Sequence, residues 1–236
     1  MDFTFGICVT KENKHLHPII YNQIKNQKIP NKQIIFIGDI YDNLNKDWLC
    51  ENLYDDYIHF DETQKTGWIT KKKNLIVENA KYENIVLMHD YIVLENGWYE
   101  GFLKFGNDFQ VCMNRVHNLD GKRNIDWLVY YQDYQLPNAE QLLPYDQEFS
   151  KIMYIPGFYW VAKKNVMQEF PLNENLIWGE AEDVEWSKRV RSKYKFTMNS
   201  HSAVKFLKQK EYVLNEMSKE SLNLVKNFYN NYFGEQ

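Results

Sequence analysis

Short apolar runs that stop abruptly at polar residues, separated by stretches of helical spacing, constrain this 236-residue chain more than any other feature. Residues 3–10, 33–38 and 84–88 are such runs. Rich in Ile, Val and Phe and shorter than ordinary helices, they read as buried strands. Between the first two, Leu16, Ile19, Ile20 and Ile24 recur at helical spacing, closed by Ile29-Pro30-Asn31. Residues 70–80 repeat the pattern, with Leu75, Ile76 and Ala80 inward; a polar helix-like stretch at 48–53 and a short strand at 57–60 come before it. Strands alternating with helices predict βαβ units, hence an α/β chain with a mixed, mainly parallel central sheet flanked by helices. Ligands of such sheets bind beyond the carboxyl ends of the strands. The places to look are therefore Thr10 and Lys11, Gly38 and Asp39, and His89-Asp90-Tyr91.

After Leu94 the alternation changes. Residues 97–105 read as a helix, 111–116 as a strand, 118–124 as a turn-rich segment, and 154–162 as a strand broken by Pro156-Gly157. Residues 182–192 are helical, with Glu182, Trp186 and Val190 on one stripe. A last helix runs over 218–232, using Leu224, Val225, Phe228 and Tyr232, and stops at Gly234. No repeat, linker or low-complexity stretch divides the chain, so residues 1–236 are expected to form one domain.

Composition excludes several function classes. The net charge is −4 and the longest basic run is Lys71-Lys72-Lys73, which leaves no footprint for nucleic acid. Three widely spaced cysteines, Cys8, Cys50 and Cys112, argue for a reducing compartment and against a disulfide scaffold. No signal-like leader and no apolar stretch of about 18 residues is present, so a soluble, cytoplasmic protein is expected. Aromatic residues make up 16% of the chain. They fill cores, and they also suit sugar binding, because pyranose C–H groups pack on their faces.

Three segments in fixed order carry the chemistry. The first is Lys73-Asn74 on a helix, leading to a strand that ends in His89-Asp90-Tyr91. The second is Trp178-Gly179-Glu180-Ala181-Glu182-Asp183, running into a helix with Arg189 two turns on. Acids at a helix N-terminus also simply suit the helix dipole, but the preceding Trp-Gly step and the upstream Pro156-Gly157 add to a functional reading. The third is residues 197–205 with His201 and Lys205, after a strand-like stretch at 195–198.

Together these segments resemble GT-A glycosyltransferases, over most of the chain from Phe3 to about Lys208. With the turn-rich Asn118-Leu-Asp-Gly-Lys-Arg-Asn-Ile-Asp-Trp127, the chain is similar in style to the small stand-alone GT-A domains of large DNA viruses. The resemblance implies a GT-A, Rossmann-like fold. Residues 1–95 would form the nucleotide-sugar half, 96–210 the acceptor half and 211–236 a C-terminal helical segment. It implies transfer of a hexosyl or deoxyhexosyl group from a nucleotide-sugar, a UDP-sugar first, to a hydroxyl of a glycan or other acceptor. Inversion is implied, with a divalent metal, Mn2+ or Mg2+, on the diphosphate.

By position in the motifs, Thr10, Lys11, Glu12, Asp39, Lys73, Asn74, His89 and Asp90 would contact the donor, Asp39 by accepting from a pyrimidine N–H. Trp178, Gly179 and Glu182 would bind the acceptor, and Asp183 would be the general base. Asp90 and His201 would ligate the metal, with Lys205 as another partner for the diphosphate. Tyr91 departs from the pattern: it stands where the motif has a further acid, leaving Asp90 as the one carboxylate, so the diphosphate would need a ligand from elsewhere. His89 faces the ribose or packs under the strand. Two other classes stay open. A nucleotidyltransferase would bring a Gly-rich phosphate loop, which Phe5-Gly6-Ile7 is not; a nucleotide- or carbohydrate-binding domain without catalysis would fit Tyr91.

Overall fold

The computed structural model describes residues 1–40, 56–130, 140–210 and 214–234. Its strands are β1 (Phe3–Cys8), β2 (Lys32–Gly38), β3 (Asp56–His59), β4 (Asn84–His89), β5 (Ile92–Leu94), β6 (Val111–His117), β7 (Leu128–Tyr130), β8 (Glu140–Leu142), β9 (Met153–Tyr154), β10 (Tyr159–Lys163) and β11 (Phe196–Phe206). The helices are α1 (His17–Asn26), α2 (Ile69–Asn79), α3 (Trp98–Phe105), α4 (Lys164–Glu169), α5 (Glu182–Val190) and α6 (Lys219–Phe233). The helix-like stretch at 48–53 and Cys50 lie outside the described residues.

One eight-stranded sheet runs in the order β3-β2-β1-β4-β10-β6-β11-β5. The β3-β2-β1-β4 side is parallel, and β10 runs antiparallel to both β4 and β6. The register is level across the parallel side: Cys8 pairs with Ile37 of β2 and with His89 of β4. Thr10, Asp39 and Asp90 therefore emerge on one rim. Helix α2 closes tightly over β1, because a side chain at Gly6 would meet Ile76. On the core side Phe3, Phe5, Trp98 and Phe102 form a fully buried aromatic cluster.

Three sequence expectations change in shape. The strand expected at 154–162 is cut at Pro156-Gly157 into β9, which joins a small β8-β7-β9 sheet, and β10, which crosses to the large one. Proline lacks the N–H a ladder needs, and the break re-aims the chain toward the rim. The strand expected to end near Met198 continues as β11 through His201, with a bulge between Asn199 and Ala203. In α6, capped by the Ser218 hydroxyl, Val225 is buried while Leu224 and Tyr232 are exposed. No helix among the described residues is long and apolar enough to cross a membrane.

The turn-rich segment after β6 is built around the buried carboxylate of Asp126. It accepts from the Val116 and Trp127 amides at 3.2 and 2.6 Å, from Tyr145 Oη at 2.7 Å and from Arg123 Nε at 2.9 Å. Asp126→Ala strands two amides and a largely buried guanidinium. It is expected to cost about 3–5 kcal/mol in urea unfolding; a loss below about 1 kcal/mol, the size of an exposed pair, would contradict this account.

Candidate active site

At the end of β4 the Asp90 carboxylate turns away from solvent and under the loop that follows β1. Its Oδ2 accepts from the Thr10 amide at 2.6 Å and the Thr10 hydroxyl at 2.9 Å, and lies 3.3 Å from His17 Nε2. Its Oδ1 accepts from Asn13 Nδ2 at 2.7 Å. Asp90 and His17 are both buried, so these partners replace the water that a carboxylate otherwise requires. The hub ties the first and fourth strand ends together and shapes the loop carrying Lys11 and Glu12.

Beyond that rim opens a cleft of about 600 Å³. Thr10, Lys11, Glu12, Asp39, His89, Asp90 and Trp178 all line it. Lys11 Nζ lies 3.4 Å from Asp39, and Lys72 is paired with Glu62 on another wall. Trp178 is 66% exposed, tethered by its backbone N–H to the Gly67 carbonyl at 2.9 Å, and leaves a bare aromatic face at the mouth. His89 Nδ1 and Tyr91 Oη are 2.8 Å apart, while His89 Nε2 has no protein partner. Burial, reinforced by Lys73, Lys210, Lys72 and Lys208, holds the His89 pKa well below the ordinary imidazole value, so the ring is neutral. Burial likewise raises the Tyr91 phenol, keeping it protonated. The ammonium groups of Lys208 and Lys210 sit 4.2 and 4.1 Å from the centre of the Tyr91 ring.

The acids Glu182 and Asp183 open α5 beside this cleft. Gly179 and Ala181 both take left-handed φ, 86° and 55°, winding the chain so that Glu182 turns inward. For Ala181 this is strained backbone, which needs surrounding contacts to hold it. Asp183 Oδ2 accepts from the Gly157 amide at 2.7 Å, and a Cβ at Gly157 would meet Asp183 Oδ2 at 3.0 Å and Glu182 Oε1 at 3.2 Å. The glycine after Pro156 is thus required by the close approach of both carboxylates. One residue on, the Phe158 carbonyl accepts from the His89 amide at 2.9 Å, which joins the acid pair to the strand end. Asp183 is half-buried and Glu182 buried.

Lys73 and Asn74 stand elsewhere than the motif implies. Lys73, fully buried, donates to the Gly157 carbonyl at 2.7 Å and lies 4.4 Å from the Trp160 ring. Asn74 donates to the Leu172 carbonyl at 3.0 Å and accepts from the Leu172 amide at 2.9 Å. Both brace the loops carrying Gly157 and Trp178 and neither lines the cleft; the residues of that helix that do are Ile69 and Lys72. Gly179, Glu182 and Asp183 flank the cleft without lining it.

The metal expected at Asp90 and His201 does not fit these side chains. Asp90 is engaged with Thr10, Asn13 and His17, and a neutral phenol stands at the next position. His201 is exposed on the β11 bulge, where its carbonyl packs over Gly101 of α3, and it does not line the cleft; neither does Lys205. Among the described residues no three His, Cys, Asp or Glu side chains come together as a metal site. Sequence reasoning missed Lys72, Lys208 and Lys210; the readable signal was a Lys-Gln-Lys step directly after the long β11 strand.

The Glu182 carboxyl titrates above the ordinary value: burial raises it most, Lys73 pulls it down and Asp183 pushes it up. Between its unfolded and folded values the native state holds more protons, so stability falls as pH rises through that window. Glu182→Gln should remove this fall from pH 4.5 upward. Urea unfolding of both proteins across pH 4–8 checks it, and superimposable pH profiles would contradict it.

No known protein family matches the chain by sequence, and no curated protein does. Solved structures do match by shape. The S. aureus TarS 1–349 structure superposes with a TM-score of 0.60 at 10% identity, covering 97% of this chain and 64% of that one. GalNAc-T7, solved with UDP, GalNAc and Mn2+, gives 0.64 at 10% identity over 91% of this chain and 45% of that one. TarS 1–349 in complex with UDP-GlcNAc gives 0.57 at 10% identity over 94% of this chain and 61% of that one. This chain spans less than two thirds of each. The likeness shows the fold: a mixed α/β sheet of the GT-A type.

Proposed function

We propose that this chain is a glycosyltransferase. It moves a hexosyl or deoxyhexosyl group from a nucleoside diphosphate sugar, a UDP-sugar first, to a hydroxyl of a glycan or other acceptor, with inversion. The observation that carries this is the meeting of two features. A cleft opens at the level carboxyl ends of β1, β2 and β4, and the Glu182–Asp183 pair is bound to its rim through Gly157 and Phe158. Solved structures of the same fold carry UDP or UDP-GlcNAc, which supports the choice of donor.

In this reading the nucleoside lies against Thr10, Lys11 and Glu12, with Asp39 accepting from the pyrimidine N–H, and Trp178 offers its face to a sugar ring. The acceptor oxygen attacks the anomeric carbon and the bond to the diphosphate oxygen breaks. The acceptor's proton passes to Asp183, and the nucleoside diphosphate leaves with the bonding electron pair. Asp183 is given the base role because it is half-exposed, within reach of a hydroxyl arriving from solvent; Glu182, buried behind it, holds the acceptor. Mn2+ has no part in this proposal, because the side chains at Asp90 and Tyr91 do not form a site for it.

Asp183→Asn is expected to lower transfer by about 10²–10⁴-fold while UDP affinity stays unchanged. Donor hydrolysis and calorimetric UDP titration read the two separately. Full transfer by the variant would remove Asp183 from the base role. UDP binding by wild type without turnover of any UDP-, GDP- or dTDP-sugar would leave a nucleotide-binding domain.

A further inference from the structure

Four lysines, Lys11, Lys72, Lys208 and Lys210, and four carboxylates, Glu12, Asp39, Glu62 and Asp90, line the cleft, so the charges balance in number but not in place. Asp90 is satisfied by Thr10, Asn13 and His17, Asp39 lies against Lys11, and Glu62 is paired with Lys72. Lys208 and Lys210 have no carboxylate partner among the described residues, and Glu12 is exposed on the loop after β1. The two lysines sit over one phenol ring, 4.2 and 4.1 Å from its centre, and both line the cleft. Their segment is pinned by the Leu207 amide donating to the Tyr91 carbonyl at 2.8 Å, which extends the antiparallel pairing of β11 with β5. Holding two ammonium groups together is costly. Burial, and next the neighbouring Lys208, lower the pKa of Lys210. An anion of two or more charges bound beside both ammonium groups would relieve that repulsion.

Tyr91 completes the arrangement. A carboxylate at this position would offset one of the two positive charges. The phenol instead gives them an uncharged platform, and its hydroxyl is fixed by His89 at 2.8 Å.

We propose that Lys208 and Lys210, seated on Tyr91, bind the diphosphate of the donor and stabilise it as the leaving group, in place of a divalent cation. The inference rests on the donor being a nucleoside diphosphate sugar. It goes further by assigning the phosphate ligands and by making binding independent of metal.

The test is calorimetry on the full chain with UDP, uridine and inorganic pyrophosphate, each in EDTA and again in MnCl2. Circular dichroism checks the fold of every variant. Wild type should bind UDP in EDTA with an affinity that manganese does not improve, and should bind UDP more tightly than uridine. The double variant Lys208→Ala/Lys210→Ala should lose tenfold or more in UDP affinity, about the worth of one charge-assisted phosphate contact, and leave uridine binding as it was. The gentler Lys208→Gln/Lys210→Gln should lose as much, which separates charge from packing. Tyr91→Asp, placing an acid against the lysines, should weaken UDP in EDTA and make its binding respond to manganese. Pyrophosphate binding as tightly as UDP would mean an anion site unconnected with a nucleotide, and would overturn the proposal. A manganese-dependent gain above tenfold in wild type, or UDP affinity unaltered in both double variants, would overturn this inference and leave the transferase reading standing. No binding of UDP, GDP or dTDP to wild type would overturn both.

Discussion

The Asp90 carboxylate is nearly dry, and Thr10, Asn13 and His17 hold it at the end of β4. An unpaired charge in that position would cost several kcal/mol, so the loop after β1 has little freedom to sit anywhere else. Once that loop is placed, Lys11 and Glu12 face the cleft and β1 and β4 end level. The residue that the motif suggests as a metal ligand acts here as the keystone of the cleft rim.

Helix α2 supplies the second constraint. Its inward face carries Lys72, Lys73 and Asn74 as well as Ile76 and Val77. Lys73 holds the Gly157 carbonyl while the Gly157 amide holds Asp183, so one residue is gripped at both of its backbone polar groups. Asn74 grips the Leu172 backbone in the same two-sided way, and Thr70 donates to the Leu176 carbonyl at 2.7 Å. The helix therefore positions the Trp178 mouth and the acid pair relative to the strand ends. These are polar clamps on backbone, which set direction as well as distance.

Much of the rim was legible from the sequence because strand periodicity is local. The apolar runs ending at Thr10, Asp39 and His89-Asp90 locate the polar edge directly, and Trp178 joins them in the cleft. Lys73 lies off the cleft because three consecutive lysines point in directions about 100° apart on a helix; only packing decides that Lys72 reaches the cleft and Lys73 the interior. His201 lies off the cleft because a bulge lets β11 run on where a loop was expected. Lys208 and Lys210 were invisible as partners of Tyr91, since pairing of β5 with β11 across more than a hundred residues leaves no periodic trace. The sequence did flag Tyr91 as a departure from the acidic pattern, and the structure supplies its counterpart in the two lysines.

A crystal of the full chain soaked with UDP and EDTA tests the central claim most directly. The account predicts uracil beside Asp39 and the diphosphate against Lys208 and Lys210, with Asp90 still bonded to Thr10 and Asn13. A nucleotide bound away from the carboxyl ends of β1, β2 and β4, or an Asp90 carboxylate released from Thr10 to face the phosphates, would contradict it.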